Sequence, residues 1–159
     1  MSNSASDDTT RPALTRVDMQ SEADKAIGQF VSELQQGWDE RDAAITNRRF
    51  AADVAWGSPY GATVHDYEQL HAIHTRLKQQ STGGAASRYE IVRAFAVSDD
   101  VVVAHVARYA LDHMGGPIEP RADTNGAFSE MALYVLVRRD GEWWLAAGQN
   151  TPIRPGGAV

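Results

Sequence analysis

Residues 128–151 read FSEMALYVLVRRDGEWWLAAGQNT. Two apolar runs flank Asp140 and Gly141, and an Asp-Gly pair in that setting supplies the positive φ that both central positions of a type I′ turn require. The stretch is a β-hairpin with strands over 128–139 and 142–151. Counted outward from the turn, one face carries Phe128, Glu130, Ala132, Tyr134, Leu136, Trp143, Leu145 and Gln149, and the other Met131, Leu133, Val135, Val137, Trp144, Ala146 and Asn150. Neither face is polar enough to rest in water, whereas an antiparallel sheet ordinarily keeps one wet side. A second copy of the chain is the simplest cover for the outer face, so a homodimer joined through the sheet is expected.

Upstream, 88–97 and 101–113 read as two further strands joined at Ser98, Asp99 and Asp100. Residues 115–126, with two Pro and three Gly, read as a long loop at the sheet rim. Before them lie helical patterns. Ala23, Ile27, Phe30, Val31, Leu34 and Trp38 recur at three- and four-residue spacing, with Asp18 or Ser21 as cap and a break near Gly37. Residues 43–50 read as a short second helix, 54–56 as a short strand, 57–61 as a tight connection and 63–65 as a strand returning on it. Asp66 then caps a third helix with the stripe Tyr67, Leu70, Ile73, His74 and Leu77, ending near Gln80. Helices first and long antiparallel strands afterwards make an α+β fold, in which the helices cover one face of the sheet.

The 159 residues suit one domain over 18–152, with a flexible polar arm at 1–17 and a short tail at 153–159. A net charge of −6 without a basic patch argues against nucleic acid or an anionic membrane surface as partner. The absence of cysteine excludes disulfides, thiolate zinc sites and thiol nucleophiles. With no signal-like N-terminus and no apolar run approaching ~18 residues, a cytoplasmic protein is expected.

The order of these pieces resembles the NTF2-like superfamily and, within it, the SnoaL-like SgcJ/EcaC family. The resemblance rests on QGWDERD at 36–42, FAADVAWGSPYG at 50–61, HAIHTRL at 71–77 and VRRDGEWWLAAGQNT at 137–151, and spans residues 20–152. It implies a cone-shaped roll: a curved antiparallel sheet wraps a long helix and leaves an apolar pocket at the open end, usually in a homodimer. It further implies a place in enediyne polyketide biosynthesis, as a cofactor-free cyclase or isomerase acting on an apolar intermediate, or as an accessory carrier docked on a polyketide synthase. The oxidoreductase label attached to this family has no counterpart here, since no GxGxxG joins a strand to a helix and no phosphate-cradling loop is present. No cofactor is expected. Ketosteroid isomerases share the fold and use an Asp base with Tyr and protonated Asp donors. The resemblance puts Phe30 at the Tyr position, Ser58 at the base and Leu133 near the second Asp, so that mechanism does not transfer.

His71 and His74 lie three apart on the third helix and could offer two nitrogens to a metal, but no third ligand accompanies them and no metal is expected. His74 falls on the apolar stripe, as a hydrogen-bonded pocket wall poised for proton transfer or as a packed side chain. Glu130 sits among Phe128, Ala132 and Tyr134, where a carboxylate finds a partner, stays protonated or reaches water at the strand end. These two are the candidate proton-transfer residues. By period-two counting His105, Tyr109 and His113 share one strand face, either lining a cavity or partly exposed. Trp38, Trp56, Tyr60, Tyr134 and Trp143, with His71, His105 and Tyr109, are candidate walls for a flat conjugated ligand, and Gln149 and Asn150 candidate polar contacts. For each, the alternative is core packing or water at a sheet edge.

Overall fold

The computed structural model describes residues 10–80, 85–119 and 128–154. After a single 3₁₀ turn (Val17–Met19) the elements run α1 (Gln20–Asp39), α2 (Ala43–Thr46), β1 (Phe50–Gly57), β2 (Thr63–Val64), α3 (Tyr67–Gln80), β3 (Ser87–Ser98), β4 (Val101–Ala110), β5 (Glu130–Arg139) and β6 (Glu142–Pro152). The strands form one curved, open sheet in the order β2-β1-β6-β5-β4-β3. All neighbours are antiparallel except β1 and β6, which run parallel. This is the expected α+β roll, and among the described residues no helix is long and apolar enough to cross a membrane.

The hairpin turns at Asp140 (φ 53°) and Gly141 (φ 78°), the left-handed pair that its sequence requires. Its register departs from simple counting. Leu136 pairs with Leu145 but Val135 with Ala147, so Ala146 is an extra residue, a bulge that reverses the parity of everything after it. Gly148 and Asn150 therefore stand opposite Tyr134 and Ala132 on the inner face, and Gln149 opposite Leu133 on the outer one. The expected faces of Gln149 and Asn150 are exchanged.

The start of α1 also differs from expectation. Neither Asp18 nor Ser21 caps it, and Asp18 instead pairs with Arg16 at 2.7 Å. Nor does Gly37 break the helix, which continues to Asp39. A Cβ at residue 37 would lie 2.3 Å from Thr46 Oγ1 and 2.5 Å from the Thr46 amide, so the missing side chain is what lets α2 pack against α1. Asp42 caps α2 by accepting from the amides of Ala44 and Ile45. That helix ends at Thr46 rather than 50, because Phe50 already pairs with Leu145 as the first residue of β1.

Ile27, Phe30 and Leu34 of α1 are buried against Ala96, Val102, Ala104, Leu136 and Leu145. Alanines on the strands beneath the helix let its backbone approach closely, and each large apolar side chain so covered contributes about 1.5–3 kcal/mol. The helix also closes the open edge of β3. Gln35 donates to Ser87 O and accepts from Tyr89 N, Gln20 donates to Ala94 O, and the Arg16 amide donates to Ala96 O. Two glutamines thus stand in for a missing neighbour strand. On the opposite, convex face Val103, Val135 and Trp144 are half-buried and Leu133 is 39% exposed. Of the segments expected at the margins, residues 1–9, 120–127 and 155–159 lie outside the described residues, and within the tail Ile153 N donates to Ser129 O.

Candidate functional site

The concave face is layered. Under α1, Phe30 meets Tyr134 edge-on at 5.2 Å, Phe50 stacks on Trp56 at 5.4 Å, and Trp56 stacks on Tyr134 at 6.4 Å. The His74 ring stands edge-on to Trp56 at 5.4 Å and to Phe50 at 6.1 Å. Trp56 and Tyr134 are thus interlocked neighbours on the inner face.

His74 is set by a residue that no local motif marks. Asn47 is fully buried between α2 and β1. Its Oδ1 accepts from His74 Nδ1 at 2.8 Å, while its Nδ2 donates to His71 Nδ1 at 3.1 Å. One amide thus imposes opposite tautomers: the proton of His71 is on Nε2, and the proton of His74 is on Nδ1, leaving His74 Nε2 with a free lone pair. His71 also stacks flat on Tyr67, 8° from parallel at 5.4 Å. Burial among aromatic rings, and after it the positive charge of Lys78 nearby, lower the His74 pKa to about 4. His74 is a neutral imidazole at physiological pH. Among the described residues no three His, Cys, Asp or Glu side chains converge as a metal site would need.

A second cluster occupies the end of the sheet where β3 and β5 begin. Arg108 donates from Nε to Glu130 Oε2 (3.1 Å), from Nη1 to Ser87 Oγ (2.9 Å) and from Nη2 to Phe128 O (3.1 Å). Its guanidinium lies 4.3 Å from the centre of the Trp38 ring. Of the three possibilities open for Glu130, the structure realises the first: a partnered carboxylate. Tyr89 meets Trp38 edge-on at 6.5 Å, and burial raises the phenol pKa of both Tyr89 and Tyr134, so each remains a hydrogen-bond donor. The two hydroxyls also feel each other and the Arg108 and Glu130 charges. Arg108, Tyr89, Asn47 and Lys78 escape sequence reasoning, because strand alternation marks Arg108 and Tyr89 as inward only once the inner face is known.

The remaining candidates separate. His105 is exposed and Tyr109 half-buried on the convex face, since the alternate residues Val102, Ala104 and Val106 are the ones that meet the core. Neither joins the concave site. Tyr60 is 80% exposed, touching Phe128 edge-on at 5.9 Å. Trp143 is on the inner face at the opposite end of the sheet, where it lines a shallow recess with Ala26, Phe30, Arg49 and Leu136. Gln149 donates to Ser58 O at 3.4 Å from outside the cone, and Asn150 is half-buried inside it. At the positions compared with the isomerases, Phe30 is core, Leu133 points outward, and Ser58 Oγ accepts from the amides of Tyr60 and Ala62 to shape the turn.

No family model and no curated protein matches this chain. Solved structures do. A domain of unknown function with a cystatin-like fold from Nostoc punctiforme superposes with a TM-score of 0.68 at 16% identity, over 84% of this chain and 78% of that one. An NTF2-like protein of unknown function from Shewanella oneidensis gives 0.63 at 10% identity, over 80% and 97%. A ketosteroid isomerase-like protein from Erwinia carotovora atroseptica gives 0.64 at 16% identity, over 82% and 96%. The fold is NTF2-like. At these identities the likeness concerns architecture alone.

Proposed function

We propose that the chain binds an apolar, conjugated small molecule against the concave face and moves a proton on it without a cofactor. The observation that carries this is the Asn47 hydrogen bond to His74 Nδ1, which leaves an unprotonated Nε2 in aromatic surroundings. That nitrogen takes a proton from the carbon next to a ligand carbonyl, the C–H electron pair passes into an enolate, and the imidazolium returns the proton elsewhere on the conjugated chain. The buried phenols of Tyr89 and Tyr134 are the donors for the enolate oxygen. Sequence resemblance to SgcJ/EcaC-type proteins supports a polyketide or enediyne-type intermediate as the ligand, and a homodimer through the convex face.

A second reading is a non-catalytic polyene carrier that docks on a polyketide synthase. It is favoured by the Arg108 to Glu130 ion pair, which occupies the other candidate proton-transfer group. A β,γ-unsaturated aryl ketone incubated with the full chain in D2O separates the two, with deuterium uptake followed by NMR. Catalysed exchange that His74→Ala abolishes and Glu130→Gln retains is the expected result. Stoichiometric polyene binding without exchange establishes the carrier, and neither binding nor exchange ends both readings.

A further inference from the structure

Trp38 carries two cations, and only one of them has a carboxylate within ion-pair distance among the described residues. Arg108 lies 4.3 Å and Lys78 Nζ 5.4 Å from the centre of its ring. Glu130 neutralises Arg108. Lys78, half-buried on the last turn of α3, donates to Gly37 O at 3.1 Å, and among the described residues no carboxylate is within ion-pair distance of it. The acid that acts on it most strongly is Asp42, and the Oδ1 of Asp42 is already held by two α2 amides. His74, one turn earlier on α3, is neutral, and Arg108 faces Lys78 from β4 as a like charge. A half-buried ammonium beside a guanidinium, with Asp42 acting on it only from beyond ion-pair distance, is a local positive charge with room for an anionic partner.

We propose that Lys78 is the receptor for an anionic oxygen on the ligand, so that the molecule bound is a flat apolar body bearing a carboxylate. This rests on the concave-face reading above and adds the charge of the ligand to it. The half-buried members of the aromatic layer, Trp56 and His74, take the body, and Trp38 positions the ammonium. An anion at Lys78 gains a charge-assisted hydrogen bond and relieves the repulsion from Arg108.

The test uses cis-parinaric acid, a fluorescent conjugated tetraene, and its methyl ester as probes on the full chain at low salt. The acid is expected to bind at least ~10-fold more tightly than the ester. Lys78→Gln should erase that preference while leaving ester affinity within about twofold, and Lys78→Arg should keep it. Equal affinity of acid and ester in the native chain overturns the inference while leaving the apolar site standing, as does a preference that survives Lys78→Gln. The native comparison needs no variant, so misfolding of a substituted chain does not blunt it. Failure of both probes to bind overturns the inference and the apolar-site reading together.

Discussion

Asn47 Oδ1 lies 2.8 Å from His74 Nδ1, and the same amide reaches His71 Nδ1 with its nitrogen at 3.1 Å. A single neutral side chain therefore assigns the protons of two imidazoles. An amide of fixed orientation has one donor end and one acceptor end, so the two histidines cannot exchange roles unless Asn47 turns over.

Asn47→Asp replaces the donor end with an acceptor and puts a negative charge against both rings. The expected result is a rise of the His74 pKa from about 4 toward the ordinary imidazole range. Histidine ring resonances followed through a pH titration by NMR measure this directly. An unmoved His74 would show that burial alone, without the amide contact, sets its proton affinity.

Stability should depend on pH through the same residue. The folded pKa of His74 is depressed below 6.5, so the unfolded chain binds the extra proton between about pH 6.5 and 4. The stabilisation from keeping His74 neutral is complete above pH 6.5 and is lost as the pH falls toward 4, by on the order of 2–3 kcal/mol. His74→Gln should flatten that part of a urea-midpoint profile. A profile as steep as the native one would assign the acid sensitivity to carboxylates.

Glu130→Ala strands the Arg108 guanidinium, whose side chain is only 9% exposed. Loss of one partner of a buried pair costs about 3–5 kcal/mol. Glu130→Gln keeps an acceptor for Arg108 Nε and should cost less than Glu130→Ala. Guanidinium unfolding midpoints rank the two, and equal small losses would mean that Ser87 and Phe128 O suffice to hold Arg108.

Gly148→Ala puts a Cβ 2.9 Å from the Trp56 ring and 3.1 Å from Tyr134. Because both rings are already packed, about 1–3 kcal/mol of destabilisation is expected, together with a shift of Trp56 away from its neighbours. Thermal unfolding and near-ultraviolet circular dichroism report the two effects separately.

The apolar convex face bears on assembly. If a second copy covers it, native chain sediments as a dimer and Leu133→Lys as a monomer, since an ammonium at a 39% exposed site is tolerated in water and not in an apolar interface. A native monomer at micromolar concentration would exclude the homodimer.

Local chemistry made much of the architecture readable. Asp140 and Gly141 announce their turn because few residue pairs accept left-handed backbone. The third helix begins where Asp66, which accepts from Gln69 N, allows it. Period-two counting set the strand faces correctly up to the bulge at Ala146 and failed beyond it, since one extra residue reverses parity without leaving a compositional trace. Glu130 was recognisable as a carboxylate in need of company, but Arg108 as its partner was not, because the pair is formed across neighbouring strands 22 residues apart in sequence.

The sequence by itself determined the α+β order, the hairpin, the amphipathic helices and the apolar character of both sheet faces, because these follow from backbone sterics and hydrophobic periodicity within a few residues. Tertiary structure alone decided which face turns inward, that Gly37 is a contact with Thr46, and that Asn47 joins His71 and His74 from 24 and 27 residues away. Those outcomes depend on how the sheet curves around α1, and a buried polar group takes whichever partner that closure brings within hydrogen-bond reach.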